Sequence, residues 1–288
     1  MKGARMDIQR LLAHYHVDSD LSATVLDAIK ETKGSLSSLT ADDLIAIDGF
    51  HIRGRKSTVE LAKQMEITPS DRVLDLGSGS GGTARYLATR FGCRVVGIDL
   101  TPSYVKLAAV LSELLEISAL TAFVCGNALT LPFNNEGFDI VWSDHVQMNI
   151  ADKTHFAKEI QRVVKPGGKV AVHEVFTGPN GNPFLPVPWS SEAATSFMVD
   201  EAEMKQIFAD MGFSVLEWTD VTGISDQWFQ KMRAKRAAAS PSAIGIHLLM
   251  GPTAEDKIAN MGRSLSEGRA RVIMGLLEKP QKRARARA

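Results

Sequence analysis

Short apolar runs alternate with stretches of helical periodicity along the middle of the chain. Residues 72–76 and 94–98 are rich in aliphatic side chains and predict buried strands, while residues 82–91 and 103–115 predict the helices that follow them. Further strands are predicted at 121–125, 138–143, 169–175, 213–221 and 271–278. Elements in this order predict an α/β fold with a doubly wound, Rossmann-like, seven-stranded and mostly parallel sheet.

Other segments flank or interrupt this pattern and predict covering elements. Residues 1–50 contain helical stretches joined by a Gly-Ser linker, so they predict an N-terminal helical lid. Within the core, residues 51–280, a loop at 177–200 and helices at 223–268 predict two cap insertions. The last residues, 281–288, alternate arginine and alanine and predict a disordered basic tail.

The first predicted strand runs directly into a glycine-rich turn. Residues 73–82 read Val-Leu-Asp-Leu-Gly-Ser-Gly-Ser-Gly-Gly, and the second predicted strand ends in Asp99. Glycine lets the backbone approach a ligand that a Cβ atom would block. An acid at the next strand tip can accept both ribose hydroxyls of a nucleoside, so the pair predicts a nucleoside site. The alternative role for Asp99 is a helix N-cap.

The spacing of the glycines separates two kinds of nucleoside ligand. A dinucleotide site usually has G-x-G-x-x-G, but no glycine follows Gly79 by three residues. Asp75 would repel a pyrophosphate and suits an amino group, with a buried structural role as its alternative. The segment resembles the first motif, E/D-x-G-x-G-x-G, of class I S-adenosylmethionine (SAM)-dependent methyltransferases. SAM is therefore the expected cofactor and S-adenosylhomocysteine its product, and a nicotinamide enzyme remains the alternative.

Later motifs extend this resemblance over most of the chain. Residues 126–133 resemble the family's G-D-x-x-x-L-P-F, with Asn127 in place of the usual Asp, and residues 138–145 resemble its fourth-strand motif. Residues 50–55, Phe-His-Ile-Arg-Gly-Arg, are similar to a segment of the sarcosine/dimethylglycine methyltransferases, with Arg53 replacing the first glycine. The resemblance implies the small-molecule branch of the class.

The motifs and their neighbours give three sets of candidate site residues. The cofactor-binding set lies at the strand tips: Asp75, Gly77, Ser78, Gly79, Gly82, Asp99, Leu100, Asn127, Ala128 and Asp144. The substrate-binding set is Tyr15, His51, Arg53, Gln147, Asn149 and Trp189. His145 and His173 are the candidate catalytic bases, with structural roles as their alternative. No metal-ligand spacing is evident, so no metal is expected.

Composition and charge bear on whether the protein binds nucleic acid, a membrane or a small molecule. The formal net charge is zero and the pI is about 7.1, so nothing indicates nucleic acid or an anionic membrane. Neither an apolar run of about 18 residues nor an export signal is recognisable. The two cysteines, Cys93 and Cys125, suit a reducing cytosol. We expect a cytoplasmic monomer or homodimer that acts on a small molecule.

Together these features predict SAM-dependent methyl transfer to a small polar molecule, an amine or amino-acid derivative, by in-line alignment of the nucleophile and the sulfonium methyl. An amine only needs to be deprotonated, whereas an oxygen or carbon acceptor more often needs a base such as His145 or His173. An O-, S- or C-methyltransferase of a secondary metabolite is therefore one alternative. A SAM-binding module that acts on a partner protein without its own catalysis is another.

Overall fold

The computed structural model describes residues 9–15, 20–37, 39–237 and 242–281. Its strands are β1 (Arg72–Leu76), β2 (Arg94–Asp99), β3 (Thr121–Cys125), β4 (Phe138–Asp144), β5 (Val164–Thr177), β6 (Ser214–Asp220) and β7 (Ala270–Glu278). They form one sheet in the order β3-β2-β1-β4-β5-β7-β6. The first five strands are parallel, and β7 runs antiparallel to both β5 and β6, which confirms the predicted mostly parallel sheet.

Helices cover both faces of the sheet. They are α1 (residues 9–14), α2 (Leu21–Lys33), α3 (Ile45–Asp48), α4 (Arg55–Lys63), α5 (Gly82–Phe91), α6 (Pro102–Leu114), α7 (Lys153–Val163), α8 (Glu201–Asp210), α9 (Thr222–Ala237), α10 (His247–Met250) and α11 (Ala254–Ser266). Val73 and Trp142 pack with α4 and α5 on one face, whereas Leu74 and Val141 pack with α7 and α8 on the other. Burial on both faces explains why the strands are continuous aliphatic runs.

The N-terminal segment divides into two differently packed parts. Leu21, Val25 and Ile29 of α2 are buried in a cluster with Tyr104 and Leu107 of α6. The helix is well terminated, because the side chain of its N-cap Asp20 accepts a hydrogen bond from the backbone N–H of Ser22 and a left-handed Gly34 closes its other end. α2 is therefore part of the packed body, while α1 lies against the 177–200 loop. That residues 1–50 act as a lid stays a prediction.

Two elements differ from their predicted bounds. β5 starts at Val164 rather than at residue 169, because the ladder opens with Val164 opposite Phe138 and shifts register before Lys169. Residues 166–168, Pro-Gly-Gly, which precede the predicted strand, therefore form an irregularity inside β5. α9 begins at Thr222, earlier than the helix predicted from residue 226. The predicted disordered tail lies outside the described residues from 282 onward, and within the described ranges no helix is long and apolar enough to cross a membrane.

Candidate active site

A cavity of about 1140 Å³, partly open to solvent, lies at the carboxyl ends of β1 to β4. Open parallel sheets place their ligands at this edge. Three predicted site residues, Arg53, Gln147 and His173, do not line the cavity. The other predicted residues do line it: Tyr15, His51, Asp75, Gly77, Ser78, Gly79, Gly82, Asp99, Leu100, Asn127, Ala128, Asp144, His145, Asn149 and Trp189.

Two glycines of the turn after β1 have distinct roles. Gly79 adopts a φ of +51°, and a Cβ atom added there would meet nothing within 4 Å, so this position faces open space in the cavity. At Gly82, a Cβ atom would lie 2.2 Å from the backbone oxygen of Asp48. The first glycine leaves room for a ligand, and the second lets the segment before α4 pack onto the turn.

Asp99, the last residue of β2, connects this strand to the glycine turn by a hydrogen bond. Its Oδ2 accepts a hydrogen bond from the Gly79 N–H at 2.9 Å, and its Oδ1 accepts one from the Thr101 N–H at 2.8 Å. Thr101, not Asp99, is the N-cap of α6. Burial raises the pKa of the Asp99 carboxyl, although backbone donors from Thr101 and Gly79 oppose this. The N-cap alternative is thus not the arrangement observed, and the carboxylate lines the cavity.

Asp75 has an unsatisfied carboxylate oxygen. Its Oδ2 is buried without a hydrogen-bond partner. Burial raises the pKa of Asp75 well above its usual range, and the neighbouring Asp144 and Asp99 raise it further. A buried, unpartnered carboxyl at a cavity wall is expected to gain a partner from a ligand. A cationic or N–H donor group would both satisfy Oδ2 and favour its charged form.

Asn127 shapes the loop after β3. Its Oδ1 accepts a hydrogen bond from the Leu129 N–H at 2.8 Å, which is an Asx turn. Asn127 and Ala128 both line the cavity. Because one side-chain oxygen lone pair is used in the turn, the amide has a remaining lone pair and its Nδ2 hydrogens for a ligand.

Three histidines surround Asp144 at the end of β4. Oδ1 of Asp144 lies 2.8 Å from Nδ1 of His173, and Oδ2 makes no hydrogen bond, although Nδ1 of His51 lies 3.3 Å away. Burial opposes ionisation, but His51, His173 and His145 together lower the pKa of Asp144. These neighbours favour the ionised form of the carboxyl. Single ligand atoms from Asp144, His145 and His173 lie within 4.8 Å of one another, a spacing compatible with a metal ion, so the expected absence of a metal stays a prediction.

Both ring nitrogens of His145 already have protein partners. Nδ1 lies 2.7 Å from the His173 carbonyl oxygen, and Nε2 accepts a hydrogen bond from the Ile52 N–H at 3.1 Å. These partners assign the ring proton to Nδ1. Burial, together with His173, lowers the pKa of His145 to about 3. The geometry gives His145 no free nitrogen for proton abstraction, and His173 is fully buried away from the cavity.

Glu174, which was not among the predicted site residues, organises the loop after β4. Its Oε1 accepts a hydrogen bond from the Ser143 hydroxyl at 2.6 Å, and its Oε2 accepts from the N–H groups of Val146 and Gln147 at 2.9 and 3.2 Å. Burial raises the pKa of Glu174 to about 8. Gln147 is fully buried and donates to the Val175 carbonyl, so it supports β5 instead of facing the cavity.

Asn149 joins three parts of the chain. Its Oδ1 accepts a hydrogen bond from the Tyr15 hydroxyl at 2.9 Å, and its Nδ2 donates to the backbone oxygens of Trp189 and Thr195 at 2.8 and 3.2 Å. His14 adds contacts from α1 to the Pro188 carbonyl and the Ser191 hydroxyl, both at 3.0 Å. Through these hydrogen bonds α1 contacts the 177–200 loop beside the cavity.

Arg53 does not line the cavity, and its side chain pairs with a carboxylate outside it. Its guanidinium forms an ion pair with Glu60, although its Nη1 is buried without a hydrogen-bond partner.

Several residues that line the cavity were not predicted from the sequence: Leu11, Asp48, Phe50, Ser80, Tyr104, Met148, Ile150 and Pro188. Most are apolar and lack a motif, so only their proximity to predicted site residues could have indicated them.

Residues 74–172 match the family model described as a methyltransferase domain. The chain is 42% identical to the 2-methyl-6-phytyl-1,4-hydroquinone methyltransferase of Synechocystis sp. over 37% of this chain and 32% of that protein. It is 32% identical to the glycine/sarcosine/dimethylglycine N-methyltransferase of Actinopolyspora halophila over 43% of this chain and 21% of that protein. The chain thus spans about a third or less of the length of these curated relatives.

The fold has a counterpart among solved structures. The geranyl diphosphate C-methyltransferase from Streptomyces coelicolor A3(2), crystallised with S-adenosyl-L-homocysteine, superposes with a TM-score of 0.69 at 17% identity, over 95% of this chain and 98% of that one. At this identity the likeness shows a shared fold. The family match, the glycine turn and the acidic end of β2 identify residues 74–172 as a methyltransferase domain of the class I SAM-dependent type.

Proposed function

We propose that this protein transfers the methyl group of SAM to a small molecule and that the acceptor atom is an amine nitrogen. The observation that carries the proposal is Asp144. Asp144 lines the cavity and its Oδ2 makes no hydrogen bond, although Nδ1 of His51 lies 3.3 Å away, while both nitrogens of the alternative base, His145, are used within the protein. A carboxylate can hold an amine N–H, and an amine does not need the base that an oxygen acceptor needs.

The residues around the glycine turn fit SAM. The open space above Gly79, the unpartnered Oδ2 of Asp75 and the buried Asp99 together suit a nucleoside with a cationic amino-acid end. Asn127 retains hydrogen-bonding capacity for a base edge. A pyrophosphate would face the three aspartates Asp75, Asp99 and Asp144, which argues against the nicotinamide alternative.

SAM supplies an electrophilic methyl carbon, and transfer to a nitrogen lone pair breaks the sulfur–carbon bond and leaves its electron pair on sulfur. The chain's residues orient the acceptor and exclude water. Asp144 accepts an N–H of the amine, and α1, held by Tyr15 and Asn149, covers the cavity. Alignment of this kind can supply roughly 7–11 kcal/mol of the barrier reduction.

Incubation with methyl-labelled SAM and a panel of amines, alcohols and thiols tests the proposal. We expect label on amines and formation of S-adenosylhomocysteine. The Asp99→Ala variant should bind S-adenosylhomocysteine about ten- to a hundredfold more weakly, because a charge-assisted hydrogen bond contributes roughly 1.5–3 kcal/mol. Label that appears only on protein or RNA would contradict the proposal, and so would cofactor binding with no transfer to any small molecule.

A further inference from the structure

The acceptor side of the cavity is defined here as the lining formed by Tyr15, Phe50, Met148, Ile150 and Trp189, with Asp144 at its base. Five of these six side chains are apolar or aromatic. The lid contacts of Tyr15 and the loop carrying Trp189 close this side. It is therefore a largely apolar compartment with one acidic group.

Among the described residues that line the cavity, none is lysine or arginine. The nearby arginines are occupied by carboxylates: Arg55 pairs with Asp48 at 3.0 Å, and Arg53 pairs with Glu60. Arg85 is fully buried and also pairs with Asp48. An anionic group on the acceptor would find no described lysine or arginine in the lining to neutralise it.

The polar side chains next to the acceptor side, Asn149 and His145, are also mostly occupied. Asn149 uses Oδ1 and both Nδ2 hydrogens within the protein, and His145 uses both ring nitrogens. The atom left without a hydrogen bond is Oδ2 of Asp144. A carboxylate or phosphate placed beside it would meet like charge in a buried site, whereas an N–H would be accepted.

Resting on the proposed function, we infer that the acceptor is an amine on an uncharged, largely apolar or aromatic body, and that amines carrying a carboxylate or phosphate are excluded. The amine enters neutral and donates an N–H to Asp144. Its lone pair forms the new N–C bond, and the resulting ammonium loses its extra proton to water. The uncharged body occupies the apolar walls, where its burial contributes roughly 25 cal/mol per Å².

Matched pairs of amines test this inference: tyramine against tyrosine, and phenethylamine against phenylalanine. Binding to the protein loaded with S-adenosylhomocysteine is measured by calorimetry, and turnover by product formation from SAM. We expect each amine to bind at least tenfold more tightly than its carboxylated partner. Equal or tighter binding of the amino acids overturns the inference, and so does failure of both amines to bind.

Two variants sharpen the test. Ile150→Arg places a cation on the acceptor side. It should reduce or reverse the preference for each amine over the corresponding amino acid. Arg53→Gln is the matched control, because Arg53 lies outside the lining, and it should leave the preference unchanged. If Arg53→Gln instead abolishes amino-acid binding in a wild type that prefers amino acids, Arg53 is the anion site. Selective amine binding without any methyl transfer would refute the proposed function while leaving the cavity's selectivity established.

Discussion

The hydroxyl of Tyr15 donates a hydrogen bond to Oδ1 of Asn149 at 2.9 Å, joining the first described helix to the loop after β4. The same asparagine holds the backbone at Trp189 through its Nδ2. Two segments that line the cavity, around Tyr15 and Trp189, are therefore held to the loop after the strand that carries Asp144. This geometry links closure of the cavity to the position of the proposed amine-binding carboxylate.

Tyr15→Phe should weaken closure without unfolding the protein. Loss of one hydrogen bond costs about 0.5–1.5 kcal/mol, so we expect the KM for the acceptor to rise about two- to tenfold. Steady-state kinetics and a melting curve measure the two effects. Ser225→Ala is the control, since it also loses a buried hydroxyl bond, to the Val221 carbonyl, but lies outside the cavity lining. Equal kinetic effects in the two variants would contradict the role given to Tyr15.

Gly79→Ala should impair cofactor binding more than stability. The left-handed φ of +51° costs an alanine about 1–2 kcal/mol, and its Cβ enters the open space of the cavity. We expect affinity for S-adenosylhomocysteine to fall by about tenfold or more, equivalent to at least ~1.4 kcal/mol. The matched control is Gly212→Ala, with a φ of +86° and no atom within 4 Å, between α8 and β6. It should lose similar stability and bind normally, and weaker binding in both variants would mean that strain alone is responsible.

His145→Gln should lower kcat without removing an ionisation from the pH profile. Because burial lowers the pKa of His145 to about 3, the imidazole stays neutral across the working pH range. The loss in rate would come from a displaced loop, since the bond from Ile52 is weakened. The measurement is kcat from pH 5 to 9. Disappearance of a limb near pH 6–7 in the variant would show that His145 is the catalytic base after all.

Glu174→Gln should change how stability depends on pH. Burial raises the folded-state pKa of Glu174 to about 8, above its unfolded value, so the folded protein binds the extra proton. The stability that this proton provides is complete below about pH 4.5 and is lost as the pH rises through about 8. Relative to the variant, the free energy of unfolding of the wild type should therefore fall by on the order of a few kcal/mol between about pH 4.5 and 8.

Chemical denaturation at several pH values measures this difference. Glu217→Gln, an exposed position on β6, is the matched control and should run parallel to the wild type. A constant stability difference between wild type and Glu174→Gln from pH 4.5 to 8 would mean that Glu174 is not protonated in the folded protein.

The sheet and the cavity lining around the glycine turn were predictable because their signals are local. The aliphatic run of β1, the glycines after it and Asp99 all lie within one stretch of sequence. The role of Glu174 was not predictable, since it depends on the pairing of β4 with β5, which brings Ser143 beside it. For the same reason Asn149 resembled a substrate ligand, although its Oδ1 and its Nδ2 hydrogen-bond to distant segments of the chain.

The hydrogen bonds by which Asn149 joins separate segments have a consequence for how this protein can change over evolutionary time. The hydrogen bonds that shape the acceptor side serve the fold, and the walls facing the acceptor are side chains such as Phe50, Ile150 and Trp189. Apolar walls can be exchanged for others of different size with little disturbance to that polar framework. Acceptor preference can therefore drift through single substitutions, while loop closure and cofactor recognition are inherited intact.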